Sequence, residues 1–262
     1  MTRISYFFSA LTLSLLLTGQ TATASVISVS GEKGAEALLS LLRADNRPTS
    51  EGFIKIFNGK NLKGWSGDPD LWSVKDGLLT GETTEANPIK ANTFLIWTNG
   101  TPGDFELRLA YKIMPAKGKG NSGIQYRSKV LETNNWIVGG YQADFEAGTK
   151  YSGILYEEKM TRGIMALRGE KVTWTKDCKK EVTGSLGNPD EIQAAIKDGD
   201  WNEYVIIAKG NHLQHFINGK QTVDVTDDCE SKRATNGVLA LQVHVGPPMI
   251  VQFKDIRLKN LK

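Results

Sequence analysis

From Phe53 onward the chain is written in short runs of β-branched and aromatic residues, separated by Gly, Asn, Asp and Pro. That pattern predicts an antiparallel β-protein. The runs are Phe53–Phe57, Leu71–Lys75, Leu78–Thr80, Phe94–Trp97, Phe105–Met114, Ser122–Arg127, Ile137–Phe145 and Ile164–Arg168. Glu203–Ala208, His212–Ile217, Thr222–Val225, Gly237–Val245 and Ile250–Leu258 follow. So many strands predict a two-sheet sandwich or a barrel, not one small sheet. Asn218-Gly219 tolerates the positive backbone angles of a tight hairpin, and Lys209-Gly210-Asn211 joins a second pair, so this region reads as a meander. Within the β region only Pro189–Lys197, behind a capping Asn188, reads as helical. Ahead of it, Glu32–Arg43 carries Leu38, Leu39, Leu41 and Leu42 at the spacing of a short amphipathic helix, ending at the polar break Ala44–Ser50. The expected organisation is a leader over 1–24, an extension over 25–52 and one domain over 53–262.

The leader is read from Arg3, the apolar run Tyr6–Leu17 and the small-x-small triplet Ala22-Thr23-Ala24, the form of a cleaved secretory signal. Its apolar run is shorter than the roughly 20 residues a membrane span needs. A mature protein in the periplasm or outside the cell, without stable membrane insertion, is the expectation. The two cysteines, Cys178 and Cys229, would then meet an oxidising compartment in which a pair commonly forms a disulfide. A net charge of +3, with Lys and Arg spread among Asp and Glu, argues against a nucleic-acid partner.

Side chains on a strand alternate between its two faces, which gives three strands a shared signature. In Asn121–Arg127, Gly123, Gln125 and Arg127 oppose Ile124 and Tyr126; in Tyr141–Glu146, Gln142, Asp144 and Glu146 oppose Tyr141, Ala143 and Phe145. Gln242 and His244 likewise oppose Leu241, Val243 and Val245. If these strands are neighbours, Gln125, Arg127, Gln142, Asp144, Gln242 and His244 form one polar floor, of types that suit contacts to sugar hydroxyls. Of the three histidines, His212 and His215 are three apart and so fall on opposite strand faces, which argues against a shared metal. Trp136, beside Asn134-Asn135, is the candidate exposed platform for a sugar ring, while Trp65, Trp72 and Trp201 suit packing beside turns. Glu157-Glu158 offers a carboxylate at the rim.

The order of motifs carries a resemblance. Phe57-Asn58-Gly59-Lys60-Asn61-Leu62-Lys63-Gly64-Trp65 is followed by Trp72, Asp76-Gly77, Asp104-Phe105-Glu106-Leu107, Gly120-Asn121-Ser122-Gly123-Ile124 and Gly140-Tyr141-Gln142-Ala143-Asp144. Ser152-Gly153-Ile154-Leu155-Tyr156, Trp201-Asn202-Glu203, Asn218-Gly219, Leu241-Gln242-Val243-His244 and Phe253-Lys254-Asp255-Ile256 complete the series. It resembles the 3-keto-disaccharide hydrolase family over roughly Phe53–Lys262. The resemblance implies a concanavalin A-like jelly roll of two antiparallel sheets that handles sugar on one face. It also implies a carbohydrate substrate whose ring carries a ketone at carbon 3, made by a partner oxidoreductase.

Such a ketone acidifies the hydrogen on carbon 2, so one base can start elimination of the aglycone from carbon 1, and water can then add to the enone. Asp144 or His244 is the expected base, with Gln125, Arg127, Gln142, Glu146, Trp136 and Gln242 expected to touch substrate. A divalent cation is a possible Lewis acid, with Asp144, Glu146 and His244 its candidate ligands. A conventional glycanase on the same fold and a non-catalytic glycan-binding module are the alternatives. Gln142, which stands where a glycanase would want a carboxylate, argues against the glycanase.

Overall fold

The computed structural model describes residues 51–262, so the expected leader and the helix expected over Glu32–Arg43 lie outside the described residues. The first strands are β1 (Ile54–Lys55), β2 (Trp65–Ser66), β3 (Trp72–Lys75), β4 (Leu78–Thr83), β5 (Thr93–Trp97) and β6 (Phe105–Pro115). Then come β7 (Gly120–Glu132), β8 (Ile137–Ala147), β9 (Leu155–Glu158), β10 (Gly163–Ala166), β11 (Glu170–Trp174) and β12 (Lys180–Ser185). A short helix α1 (Pro189–Gln193) precedes β13 (Asn202–Lys209), β14 (His212–Ile217), β15 (Lys220–Asp227), β16 (Val238–Val243) and β17 (Met249–Asn260). The expected sandwich is present. One sheet of ten strands runs β12-β11-β15-β14-β13-β6-β17-β4-β3 with β1 paired to β17, and a seven-stranded sheet runs β10-β9-β8-β7-β16-β5-β2. All described pairs are antiparallel except β11 with β15, which run parallel with Trp174 opposite Asp227.

Period-two alternation builds the core. On β6, Phe105, Leu107, Leu109, Tyr111 and Ile113 turn inward, while Tyr141, Ala143 and Phe145 of β8 meet them from the other sheet. The Tyr111 and Phe145 rings approach to 3.9 Å between centroids. His215 is wholly buried in this interior, 2.9 Å from the Tyr126 hydroxyl and 3.4 Å from that of Tyr204. Burial pushes its pKa down to about 3, so it serves as a neutral polar core residue. His212, on the opposite face, pairs with Asp224 at 2.7 Å, as the odd spacing requires.

Two covalent or ionic braces hold the sandwich at one end. Cys178 and Cys229 form a disulfide across a separation of 51 residues, next to the ends of the parallel pair β11 and β15. Closing such a loop contributes about 3–4 kcal/mol in the chain-entropy account. Beside it, the buried Arg162 guanidinium donates from Nε and Nη2 to Glu157 Oε1 (2.8 and 2.6 Å) and from Nη1 to Asp227 Oδ2 (2.8 Å). Tyr141 donates its hydroxyl to the same Asp227 oxygen at 2.5 Å. Glu157 belongs to the seven-stranded sheet and Asp227 to the ten-stranded one, so this cluster pins the sheets together and anchors the β9–β10 hairpin.

Candidate active site

The site lies on the face of the seven-stranded sheet turned away from the core. Register places Gln125 opposite Gln142 and Gly123 opposite Asp144 between β7 and β8, with Gln142 opposite Tyr156 on β9. β16 pairs with the other edge of β7, setting Ala240 opposite Gln125. The three polar rows expected from alternation therefore do come side by side. A hollow of about 480 Å³ opens over them, walled by Asn92, Asn121, Gln142, Asp144, Tyr156, Glu158, Lys159, Met160 and His244. Beyond Asn121 and His244 a further hollow of about 300 Å³ reaches Lys119, Glu146 and Val245.

A chain of amides sits under the floor. Gln142 Oε1 accepts from Gln125 Nε2 (2.6 Å) and Gln242 Nε2 (3.0 Å), while Gln142 Nε2 donates to Asp144 Oδ1 (2.7 Å). Ser128 Oγ donates to Gln125 Oε1 at 2.6 Å, which fixes the orientation of the first amide. Asn121 Nδ2 supplies the second Asp144 oxygen with a donor at 3.1 Å. The amide of Gln142 passes through the space a side chain on residue 123 would need: a Cβ there would stand 2.5 Å from Gln142 Cδ. Glycine at 123 is thus required by close approach, and it is what lets the chain of amides reach the carboxylate.

Asp144 is 6% exposed and forms no ion pair among the described residues. Burial pushes its pKa from 3.8 to about 7, against the hydrogen bonds from Asn121 and Gln142, which pull it down; Glu146 and Glu158 push the same way as burial. Both oxygens are met by N–H donors, a setting made for the ionised form, yet the group holds a proton readily at neutral pH. His244 donates Nδ1–H to the Val245 carbonyl at 2.6 Å, since a carbonyl oxygen can only accept. When the ring is neutral, Nε2 keeps its lone pair. Asn92 bridges Glu158 Oε1 (3.0 Å) and the Val245 N–H (2.9 Å), tying the loop that carries His244 to β9.

The structure places the remaining expected residues elsewhere, for identifiable reasons. Arg127 has φ +46°, at a bulge that breaks the alternation of β7. Its side chain turns away from the floor to Gly103 O (2.8 Å), Gly210 O (2.7 Å) and Asp104 Oδ1 (2.9 Å), a structural staple. Gln125 and Gln242 are fully buried, hydrogen-bonded to Gln142, and do not line the hollow, so they support the floor and do not form its surface. Trp136 is half-buried, donates to Ser66 Oγ at 2.9 Å and packs over Phe94, Ile96, Val138 and Ala240 at the far end of the sheet. It caps an apolar patch and does not wall the hollow. Glu146 Oε1 accepts from the N–H groups of Lys150 (2.7 Å) and Tyr151 (2.9 Å), shaping the β8–β9 loop. β16 ends at Val243, so His244 reaches the hollow from a loop.

The candidate metal ligands are not assembled into a site: among the described residues no group of three or more His, Cys, Asp or Glu is poised to hold an ion. Both Asp144 oxygens accept from side-chain amides and Glu146 Oε1 accepts two backbone N–H groups, so the hydrogen bonds of Asp144 and Glu146 serve the floor and the β8–β9 loop.

Lys159, Glu158, Asn92 and Tyr156 complete the wall. Glu158 is the rim carboxylate expected of the Glu157-Glu158 pair, and Tyr156, two residues before it and so on the same strand face, joins it in the hollow while Glu157 faces Arg162. Lys159, at φ +56° on the β9–β10 hairpin, is the cation that lines the main hollow, and its position depends on a turn that periodicity does not describe.

Two solved structures share this architecture, both proteins from Parabacteroides distasonis ATCC 8503 named only provisionally as glycosyl hydrolases. One aligns over 80% of this chain and 99% of its own at 20% identity, with a TM-score of 0.52. The other aligns over 83% and 100%, also at 20% identity and a TM-score of 0.52. At that identity the likeness is one of fold. No match was found among curated proteins. Residues 52–259, however, match the 3-keto-alpha-glucoside-1,2-lyase-like domain, and the chain belongs to that family of glycan-acting proteins.

Proposed function

We propose that this domain cleaves the glycosidic bond of 3-keto-glycosides by removing the proton on carbon 2, expelling the aglycone from carbon 1 and adding water to the resulting enone. The observation that carries this reading is Asp144, a buried carboxylate without a cation partner, raised to about 7 and lying in the floor of a 480 Å³ hollow. A general base works best when its pKa lies near the working pH, because it is then both available and strong. Asp144 takes the carbon 2 proton, and the electron pair moves onto the ketone oxygen. Lys159 is the cation in the wall suited to that developing charge, the role expected of Arg127 from sequence. As the pair returns, the bond from carbon 1 to the aglycone oxygen breaks and that oxygen takes up a proton from solvent; once water has added at carbon 1, Asp144 returns its proton to carbon 2. His244, in the wall with Nδ1 held by the Val245 carbonyl, takes a proton on Nε2 from the water that adds at carbon 1.

A second reading is favoured by one specific feature: Glu158 shares the hollow with Asp144, and two carboxylates are the equipment of conventional glycoside hydrolysis. The test is aglycone release from an unmodified glucoside, its 3-keto derivative and a 3-keto derivative deuterated at carbon 2. Release from the keto compounds alone, slowed by deuterium, supports the elimination route. Release from the unmodified glucoside supports the Asp144/Glu158 pair, and binding without release from any compound supports a binding module. The leader and disulfide support a reaction outside the cytoplasm, and a partner oxidoreductase would have to supply the ketone.

A further inference from the structure

A second cavity, of about 230 Å³, lies against the same β9–β10 hairpin and shares Met160 with the main hollow. Its walls include Arg127, Lys129, Lys232, Arg233 and Glu157. Glu157, the carboxylate among them, is already consumed by Arg162. Arg127 is matched by Asp104. Lys232 donates to a neutral partner, the Thr161 hydroxyl, at 3.0 Å, and Lys129 has no ion pair or hydrogen-bonded side-chain partner among the described residues. Arg233 spends Nη1 on the Asp227 carbonyl (3.1 Å) and meets Glu230 only at 3.9 Å, through a carboxylate that is 79% exposed. Arg127 and Arg233 repel each other, one of the influences holding the Arg127 guanidinium below its ordinary pKa after burial, the largest. A concave wall with this excess of cations focuses positive potential, and an anion seated there relieves the repulsion.

Between the two cavities stand Met160, 47% exposed, and, on the main-hollow side, Ile164, 37% exposed. A polarisable thioether beside a branched aliphatic suits an apolar or aromatic group passing over the rim. We infer that the cavity is a carboxylate-binding subsite for the aglycone, so that the substrates of this protein are glycosides whose aglycone crosses Met160 and ends in an acidic group held by Lys129, Lys232 and Arg233. The inference deepens the glycoside-cleaving reading given above and rests on it for the position of the sugar.

The experiment is a binding titration of the full chain by calorimetry at about 50 mM salt, with phenyl α-D-glucoside and 4-carboxyphenyl α-D-glucoside as probes. It is repeated at higher salt and with Lys129→Gln/Lys232→Gln, two polar replacements outside the catalytic floor. The expected result is about tenfold tighter binding of the carboxylated probe, an advantage that shrinks as salt rises and falls below twofold in the double variant. Equal binding of the two probes by the unaltered protein, an advantage retained by the variant, or no binding of the carboxylated probe overturns the inference. Neither probe carries the ketone, so the outcome is separate from the keto-glycoside reading, which stands or falls on aglycone release from the oxidised compounds.

Discussion

Asp144 and Asp227 are both buried aspartates, yet their surroundings give them opposite properties. Asp227 lies between the sheets, where Arg162 and the Tyr141 hydroxyl meet one of its oxygens. Asp144 lies on the other face of the seven-stranded sheet, held only by the neutral amides of Asn121 and Gln142. Amide donors favour the anion less than a guanidinium does, so burial wins and the Asp144 pKa climbs to about 7. Burial with a cation makes a brace; burial with amides alone brings a carboxylate's pKa up to neutrality, as the proposed base requires.

The largest expected effect tests the base. Asp144→Asn should lower the rate of aglycone release from a 3-keto-glycoside by about 10²–10⁴-fold with the circular dichroism spectrum unchanged. A variant that keeps more than a tenth of the activity would remove Asp144 from the reaction. The brace answers in stability instead. Arg162→Met leaves two buried carboxylates uncompensated and should cost about 3–5 kcal/mol in denaturant unfolding. Adding Glu157→Gln and Asp227→Asn to it should recover part of that loss, and no recovery would mean that the guanidinium's packing on Trp174, 5.1 Å from the ring, matters more than its charge.

Gly123→Ala sharpens the comparison from the supporting side. The added methyl displaces the Gln142 amide, and misplacing a group that orients the base costs roughly 10–100-fold in turnover. If the variant is as active as the parent, the chain of amides does not position Asp144.

The subtlest effect is on the pH dependence of stability, a slope on the order of 1 kcal/mol per pH unit. Asp144 has a folded pKa above its ordinary 3.8, so its contribution is fully present below that value and is lost as pH rises through about 7. His215, with a folded pKa near 3 against an ordinary 6.5, contributes fully above 6.5 and loses that contribution as pH falls. Between about pH 4 and 6.5 the two slopes oppose each other. Unfolding curves of Asp144→Asn should therefore show stability rising with pH in this window relative to the parent, and those of His215→Gln should show it falling. Parallel curves for all three proteins would count against both assignments.

Strand alternation was enough to read the sandwich, the polar rows and the candidacy of Gln142, Asp144 and His244, because a period of two is written directly into the residue order. It failed at Arg127, where one residue in the left-handed region turned the side chain out of its row. Trp136, expected to be exposed because of the two asparagines before it, is half-buried because it packs against Phe94 and Ile96. Strands β11 and β12 were not anticipated: both open on a Lys/Glu pair that masks the run, β12 is the exposed edge of the ten-stranded sheet, and β11 inside it buries only Val172 and Trp174. Burial of Gln125 and Gln242 as a second layer was beyond any single-strand pattern, since it depends on which strands are neighbours.

The Arg162 brace also has a place in time. Its partner Asp227 lies 65 residues further along the chain, and the Tyr141 hydroxyl reaches across 86. Contacts of such span form after local hairpins, because their loops must close first. A chain still emerging from the ribosome, and ending short of Asp227, already contains Asp144, Lys159 and Met160 and the local Arg162–Glu157 pair, but lacks the carboxylate that ties this hairpin to the other sheet. The wall of the hollow is therefore completed late, by residues that do not line it.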